Sequence, residues 1–373
     1  MAEPIHLARP WLTEAEPAAL RLVFDSGILS RGQALEAFEQ GMADAASTDH
    51  GVGVNAGTTA IQIALEAFGI GPGDEVITTS YTFNGTLNAN ARSGARPVLV
   101  DKDPTTLNVD PARLAEAIGA NTRAIVIVHL FGRPAPMQAI REAVGDRPIR
   151  LIEDACEAIG ACYQGQPVGG LADAGTFGFY PNKPVATGEG GMITASDPAF
   201  ITRCRQLRNQ GLDPISGTRH PSRSGLSARL SELQAAVGAV QLARLEASLA
   251  RRQAIADRYL DRLQAHAALE CPAPYATGDR LAWFTFPLRT RSPGDRDRLR
   301  LHLKQQRIET GQYFPPAHRL PPYRDWTHPH DLSITESVGQ RCLALPLHPL
   351  LSLADVDRVC AEVLACVDRP SST

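Results

Sequence analysis

The stretch GVGVNAGTTAIQIALEAFGIGPGDEV, residues 51–76, carries an amphipathic helix and runs into an apolar segment. Ile61, Ala64, Leu65 and Phe68 fall at i, i+3, i+4 and i+7, the apolar stripe of a helix that Gly57-Thr58-Thr59 opens. A glycine and two threonines at a helix start offer free N–H groups, two hydroxyls and the positive end of the helix dipole, a combination that suits a phosphate. A plain threonine N-cap is the alternative. Downstream, short apolar runs at 76–79, 98–100, 124–129 and 149–153 alternate with helical segments, one of them opened by Asp110 as cap and Pro111 at the first position. That alternation predicts an α/β fold: a mostly parallel sheet covered on both faces, with ligands bound beyond the carboxyl ends of its strands. Asp154 follows the last of these runs. A carboxylate there is either a cap for the next segment or a fixed charge in a site.

Beyond this unit lies FGFYPNKPVATGEGGM, residues 177–192. Pro184 biases Lys183 toward an extended backbone, and Gly188, Gly190 and Gly191 permit close approach of a ligand or another chain. Such a lysine can present its amine to a pocket, or it can be a solvated residue on a surface hairpin. On the N-terminal side, residues up to about 47 read as one or two helices around a glycine turn at 25–27. On the C-terminal side a helix is expected over 198–210 and a polar loop over 212–225. Ser231 and Gln234 form a capping box that opens one long helix through Leu233, Val237, Val240 and Leu245 into an arginine-rich segment. The domain boundary is placed in that helix near Leu249, giving a large domain at 1–249 and a smaller α/β domain at 250–373. The latter mixes a strand-like piece at 283–288, helices at 296–306 and 354–367, and the proline-rich loop YFPPAHRLPPY at 313–323.

With 373 residues the chain can bury a sizeable core, and a net charge of -3 with interspersed signs provides no basic stripe for nucleic acid or an anionic membrane. No stretch approaches the length of a membrane span, and the N-terminus lacks the basic start and apolar core of a signal peptide. The expected location is therefore cytoplasmic. The seven cysteines form no CxxC or CxxH pair, so they read as reduced thiols, with no structural zinc and no metal site.

A lysine on a glycine-flanked loop, an acid at a strand end and a phosphate-ready helix start together meet the needs of pyridoxal phosphate. Its aldehyde takes a lysine amine, its ring nitrogen stays protonated beside a carboxylate, and its phosphate suits a helix N-terminus.

GTTA, SYTFNGT, EDACEAIGA, FYPNKPVATGEGG, LRNQG, RLSELQAAVG and LPLHP, in this order and spacing over nearly the full chain, resemble the DegT-type sugar aminotransferases. The resemblance implies the aspartate aminotransferase type I fold and a homodimer with active sites at the subunit interface. It also implies amino transfer, usually from L-glutamate, to a keto sugar or keto cyclitol. By residue, Lys183 matches the Schiff-base lysine and Asp154 the partner of the pyridine nitrogen. Glu157 matches a position near the ring hydroxyl, Gly57 and Thr58 with Thr59 beside them the phosphate turn, and Phe83 the aromatic that stacks on the ring. His318 matches a small-domain histidine near the sugar site, with a solvated loop histidine as its alternative; Tyr313 opens the loop expected to shape that site. His129 reads as structural.

Two departures stand out. Gly178 replaces a serine the family usually has five residues before the lysine, and GLSAR replaces GYNYR, with Ser227 for the asparagine that reaches the partner's phosphate and only Arg229 retained. In the expected cycle glutamate displaces Lys183, whose freed amine moves a proton between substrate and cofactor to leave pyridoxamine phosphate and 2-oxoglutarate; the keto substrate reverses these steps. The acceptor expected by resemblance is a nucleotide-linked 4-keto-6-deoxy sugar, then a keto cyclitol. A sugar dehydratase of related chemistry would replace the lysine with histidine, which Lys183 argues against. A non-catalytic regulator on this fold is the reading from another class.

Overall fold

A computed structural model of the chain describes residues 3–213, 220–329 and 331–368. Its strands are β1 (His50–Val54), β2 (Glu75–Thr79), β3 (Arg96–Val100), β4 (Thr122–Val128), β5 (Arg150–Asp154), the two-residue pieces β6 (Cys162–Tyr163) and β7 (Gln166–Pro167), β8 (Ala174–Gly178), β9 (Gly191–Ala195), β10 (Leu269–Glu270), β11 (Phe286–Thr290) and β12 (Cys342–Leu345). Seven of them form the central sheet in the order β1-β9-β8-β5-β4-β2-β3. The run from β3 to β8 is parallel, whereas β9 is antiparallel to both β8 and β1. The β8–β9 hairpin closes at the Gly178–Gly191 pair, so its connection, residues 179–190, leaves the sheet carrying Lys183.

Alternate residues of a strand point to opposite faces, and the sheet is apolar on both. Ile125 and Ile127 of β4 pack with Phe38, Met42 and Phe179, while Ala124 and Val126 of the same strand pack with Ile61, Leu65 and Phe200 on the other side. The expected helix of the opening stretch spans Gly57–Ala67. Asp110 caps Pro111–Ala117 through the Ala112 N–H, and Ser231 and Gln234 complete the capping box of Glu232–Ala243.

The long helix expected from Ser231 is instead two. Glu232–Ala243 and Leu245–Leu263 are separated at Arg244, whose φ of -113° and ψ of 16° leave the helical region. The Arg244 guanidinium bonds Trp11 O and Glu16 Oε1, tying this bend to the N-terminal segment. Leu245 and Leu249 of the second helix join the core of the large sheet. Ile255, Ala256, Tyr259 and Leu263 of the same helix join a separate core with Phe286, Leu299, Leu343 and Val359 around the antiparallel sheet β10-β11-β12. The N-terminus is stitched to that second unit: Ile5 N–H donates to Arg307 O at 2.9 Å, and Glu309 N–H donates to Ile5 O at 2.9 Å.

The strand-like piece expected at 283–288 begins as a strand only at Phe286. Before it, Ala282 and Phe284 donate to the carbonyls of Gly132 and Phe131, and Trp283 has a φ of 47°. Pairing with the turn after β4 thus carries Phe284 toward the end of the large sheet.

Candidate active site

The carboxyl ends of the parallel strands open into a cavity of about 420 Å3 lined from both units of the fold. Three elements of the large unit meet there at close range. The helix Gly57–Ala67 starts at the cavity with no side-chain cap, so the threonines do not cap it, and the amides of its first turn have no intrahelical acceptor. Gly57 permits this approach: a Cβ on it would stand 2.8 Å from Cys156 Sγ and 3.1 Å from Gly178 Cα. On Gly191 a Cβ would lie 2.5 Å from the Ala56 carbonyl carbon. Gly178 is itself part of the contact, since its Cβ would stand 3.3 Å from Cys156 Sγ. A serine at position 178 would therefore sit tightly against the Cys156 thiol.

Asp154 is the last residue of β5 and is buried. No helix follows it, which removes the cap alternative; instead the Cys156 N–H donates to Oδ1 at 3.2 Å and the Thr86 hydroxyl donates to Oδ2 at 2.6 Å. The neighbouring strand residue Glu153 holds this strand end in place. Its fully buried carboxylate accepts from the Gly169 N–H at 2.8 Å, the Leu171 N–H at 2.7 Å and His129 Nε2 at 2.9 Å. His129 Nδ1 accepts from the Ala135 N–H, which puts the ring proton on Nε2 and makes the histidine a strut between strand ends, as its sequence context suggested.

Lys183 is no solvated hairpin residue. Its side chain is 12% exposed, with Nζ 3.8 Å from Glu157 Oε1 and 4.2 Å from the centre of the Phe284 ring. Glu157 is buried, accepts from the Phe131 N–H at 2.9 Å, and has its carboxyl pKa raised by burial, an effect the nearby lysine charge opposes. Burial also pushes the Cys156 thiol well up, with Asp154 adding to it. The sequence contains three lysines. Lys102 is buried with Nζ 3.0 Å from the centre of the Tyr81 ring and Lys304 is exposed on the helix Pro293–Gln305, so Lys183 alone lines the cavity.

Phe83 stands 60% exposed at the cavity edge, its ring 6.2 Å from that of Phe314. Tyr313 lines the wall; its ring stacks on Phe284 and Phe314, and burial raises its phenol. Gly57, Thr58, Asp154, Glu157, Gly178 and Lys183 line the same space, while Thr59, one residue along the helix, does not. His318 lies away from the lining. The Ser80 hydroxyl donates to its Nδ1 at 2.8 Å, and its Nε2 donates to Glu336 Oε1 at 2.9 Å, so the ring is buried rather than solvated. Ser227 and Arg229 also lie outside the lining: the Arg229 guanidinium donates to Ser227 Oγ and Asn209 Oδ1. Part of the polar loop expected at 212–225, residues 214–219, lies outside the described residues.

Several lining residues escaped sequence reasoning, among them Thr82, Thr86, Cys156 and Phe284. Thr86 sat in a quoted motif but had no assigned role, Cys156 was read only as a reduced thiol, and Phe284 reaches the site through a non-local pairing that has no sequence signal. Among the described residues no group of His, Cys, Asp or Glu could hold a metal ion, and no helix is long and apolar enough to cross a membrane.

Comparison with known proteins agrees with this geometry. The model of the DegT/DnrJ/EryC1/StrS aminotransferase family matches residues 10–364. GDP-perosamine synthase of Caulobacter vibrioides is 40% identical over 339 residues, 90% of this chain and 91% of that protein. The dTDP-3-amino-3,4,6-trideoxy-alpha-D-glucose transaminase of Streptomyces venezuelae is 38% identical over 94% of this chain and 92% of its own. The crystal structure of the aminotransferase TlmJ from Streptoalloteichus hindustanus superposes with a TM-score of 0.93 at 34% identity, covering 98% of this chain and 99% of that one. The chain belongs to the DegT/DnrJ/EryC1/StrS aminotransferase family and has its α/β fold.

Proposed function

We propose that this chain is a pyridoxal phosphate-dependent aminotransferase that moves the amino group of L-glutamate to a nucleotide-linked 4-keto-6-deoxy sugar. The observation that carries the proposal is that one of three lysines, Lys183, shares a cavity with a buried carboxylate, Asp154, and an uncapped helix start at Gly57. The residues fit the cofactor. Gly57, Gly178 and Gly191 form a backbone cradle that a Cβ would crowd, and the N–H groups of Gly57, Thr58 and Thr59 with the Thr58 hydroxyl suit a phosphate.

When bound, pyridoxal phosphate supplies an aldehyde for the lysine amine and a ring that accepts an electron pair. The chain does the rest. Asp154 keeps a positive charge on the ring nitrogen, because an opposite charge nearby favours the protonated form. Phe83 supplies a flat apolar surface for the ring, and Glu157 borders the lysine. Nζ of Lys183 takes the proton from the α-carbon of glutamate and later delivers one to the carbon being aminated; a site that excludes water brings an amine nearer the ionisation this needs. Tyr313 and His318 belong to the side from which the acceptor enters. Residues 1–249 form the cofactor-binding domain and 250–373 the smaller one. In a homodimer Ser227 and Arg229 reach the partner's phosphate, leaving the work of the usual asparagine to a shorter hydroxyl.

The nucleotide sugars named for two relatives, one GDP-linked and one dTDP-linked, support a nucleotide-linked sugar as acceptor. A keto cyclitol is the second reading. A regulator is disfavoured by the lysine, the acid and the helix start together, since a scaffold needs none of them. The test is incubation with pyridoxal phosphate, L-glutamate and either GDP-4-keto-6-deoxymannose or dTDP-4-keto-6-deoxyglucose, reading 2-oxoglutarate and amino sugar by mass spectrometry. Both products are expected with one of the two. Glutamate consumed in a single half-turnover without amino sugar moves the acceptor to a cyclitol, and no 2-oxoglutarate at all refutes the proposal.

A further inference from the structure

Asp154 is held from two elements of the fold. Cys156 and Glu157 lie near it in the segment after β5, with Lys183 of the hairpin connection beside Glu157, and the Cys156 N–H donates to Oδ1. From the opposite element, the helix Asn84–Arg92, the Thr86 side chain reaches Oδ2 at 2.6 Å, and behind it Thr82 Oγ1 lies 3.0 Å from Thr86 Oγ1. Both threonines are 2% exposed and both line the cavity. The proton order follows from chemistry. An ionised carboxylate only accepts, so the single Thr86 proton goes to Asp154, and Thr82 then donates to Thr86. Two hydroxyls in series thus end on one carboxylate oxygen, and a donor that has itself accepted a hydrogen bond is the stronger donor.

We propose that Thr86, backed by Thr82, is a positioning residue for the aminotransferase reaction, aiming the Asp154 carboxylate at the cofactor ring. The assignment rests on the cofactor reading given above. Threonine suits the place because its hydroxyl meets the acid at a buried position. Serine keeps the hydroxyl, whereas valine keeps the shape and loses the donor.

The experiment measures the dissociation constant of pyridoxal phosphate by absorbance and fluorescence titration of the apoprotein, for wild type, Thr86→Val, Thr86→Ser, Asp154→Ala and the double variant Asp154→Ala/Thr86→Val. A hydrogen bond to a charged group is worth enough that Thr86→Val should weaken binding about tenfold or more, with Thr86→Ser within about twofold of wild type. Once Asp154 is alanine, Thr86→Val should add less than about a twofold effect, because nothing remains for it to aim. An equal effect in both backgrounds, or no effect in either, overturns the assignment while leaving the cofactor reading intact. A wild-type chain that takes up no cofactor overturns the proposed function and this inference with it.

Discussion

Replacing Gly57 with alanine probes the closest contact in the site. The new Cβ would meet Cys156 Sγ at 2.8 Å, Gly178 Cα at 3.1 Å and Phe177 O at 3.4 Å. The first distance is one that real Cβ atoms essentially never show, and the second is tight against backbone that cannot rotate away. Either the helix start withdraws from the β8 end by a few tenths of an ångström or the 155–157 turn shifts. Overpacking of this kind costs about 1–3 kcal/mol. If roughly half of it falls on the cofactor-bound state, pyridoxal phosphate binding weakens about 2- to 12-fold, and the urea midpoint falls as well. The structure also specifies a rescue. Cys156→Ala removes the sulfur at 2.8 Å and leaves the 3.1 Å contact with Gly178, so the double variant should recover about half the loss in affinity. Cofactor titration and urea unfolding of the four proteins form a complete cycle. Wild-type affinity in Gly57→Ala, or additive losses in the double variant, would refute the close packing of Gly57 against Cys156 and Gly178.

Three further outcomes follow from buried groups. Burial raises the pKa of Glu157 above the unfolded value of about 4.3, so its folded form holds its proton more tightly and stability declines as pH rises through that interval. Glu157→Gln should therefore melt above wild type at neutral pH and with it in acid, as read by calorimetry from pH 4 to 8. His348 has the opposite sense: burial, with the charge of Arg252 adding to it, brings it down to about 4, against about 6.5 in the unfolded chain. Stability should fall as pH drops from 6.5 toward 4, and His348→Asn should flatten that slope in the same melts. Finally, Glu153→Gln sets an amide donor against one of the three donors that converge on Glu153, at 2.7, 2.8 and 2.9 Å. It should cost about 2–4 kcal/mol in urea unfolding, an effect that a merely exposed carboxylate would not show.

Much of this architecture was legible because local rules and packing agree. Ile61, Ala64 and Leu65 lie on one helix face, and Asp110 and Ser231 cap as their types predict. The strand ends at Asp154 and the hairpin of Lys183 were readable for the same reason. What escaped depends on distant partners. The break at Arg244 coincides with its bonds to Trp11 and Glu16, more than two hundred residues away in sequence. Phe284 enters the site because 282–284 pairs with 131–132, and Ile5 joins the second unit through Arg307 and Glu309. No periodicity encodes such contacts. His318 shows the limit of resemblance: the motif drew attention to the residue, but its Ser80 and Glu336 bonds are visible only in three dimensions.

That Lys183 carries the chemistry is unusually easy to test because lysine is scarce in this chain. The protein is loaded with pyridoxal phosphate, reduced with borohydride, digested and mapped by peptide mass spectrometry. With lysines only at 102, 183 and 304, three peptides decide the outcome. The phosphopyridoxyl group is expected on Lys183 alone, and none when L-glutamate is added before reduction. A label on Lys304 or Lys102, or a label on Lys183 that glutamate fails to displace, would contradict it.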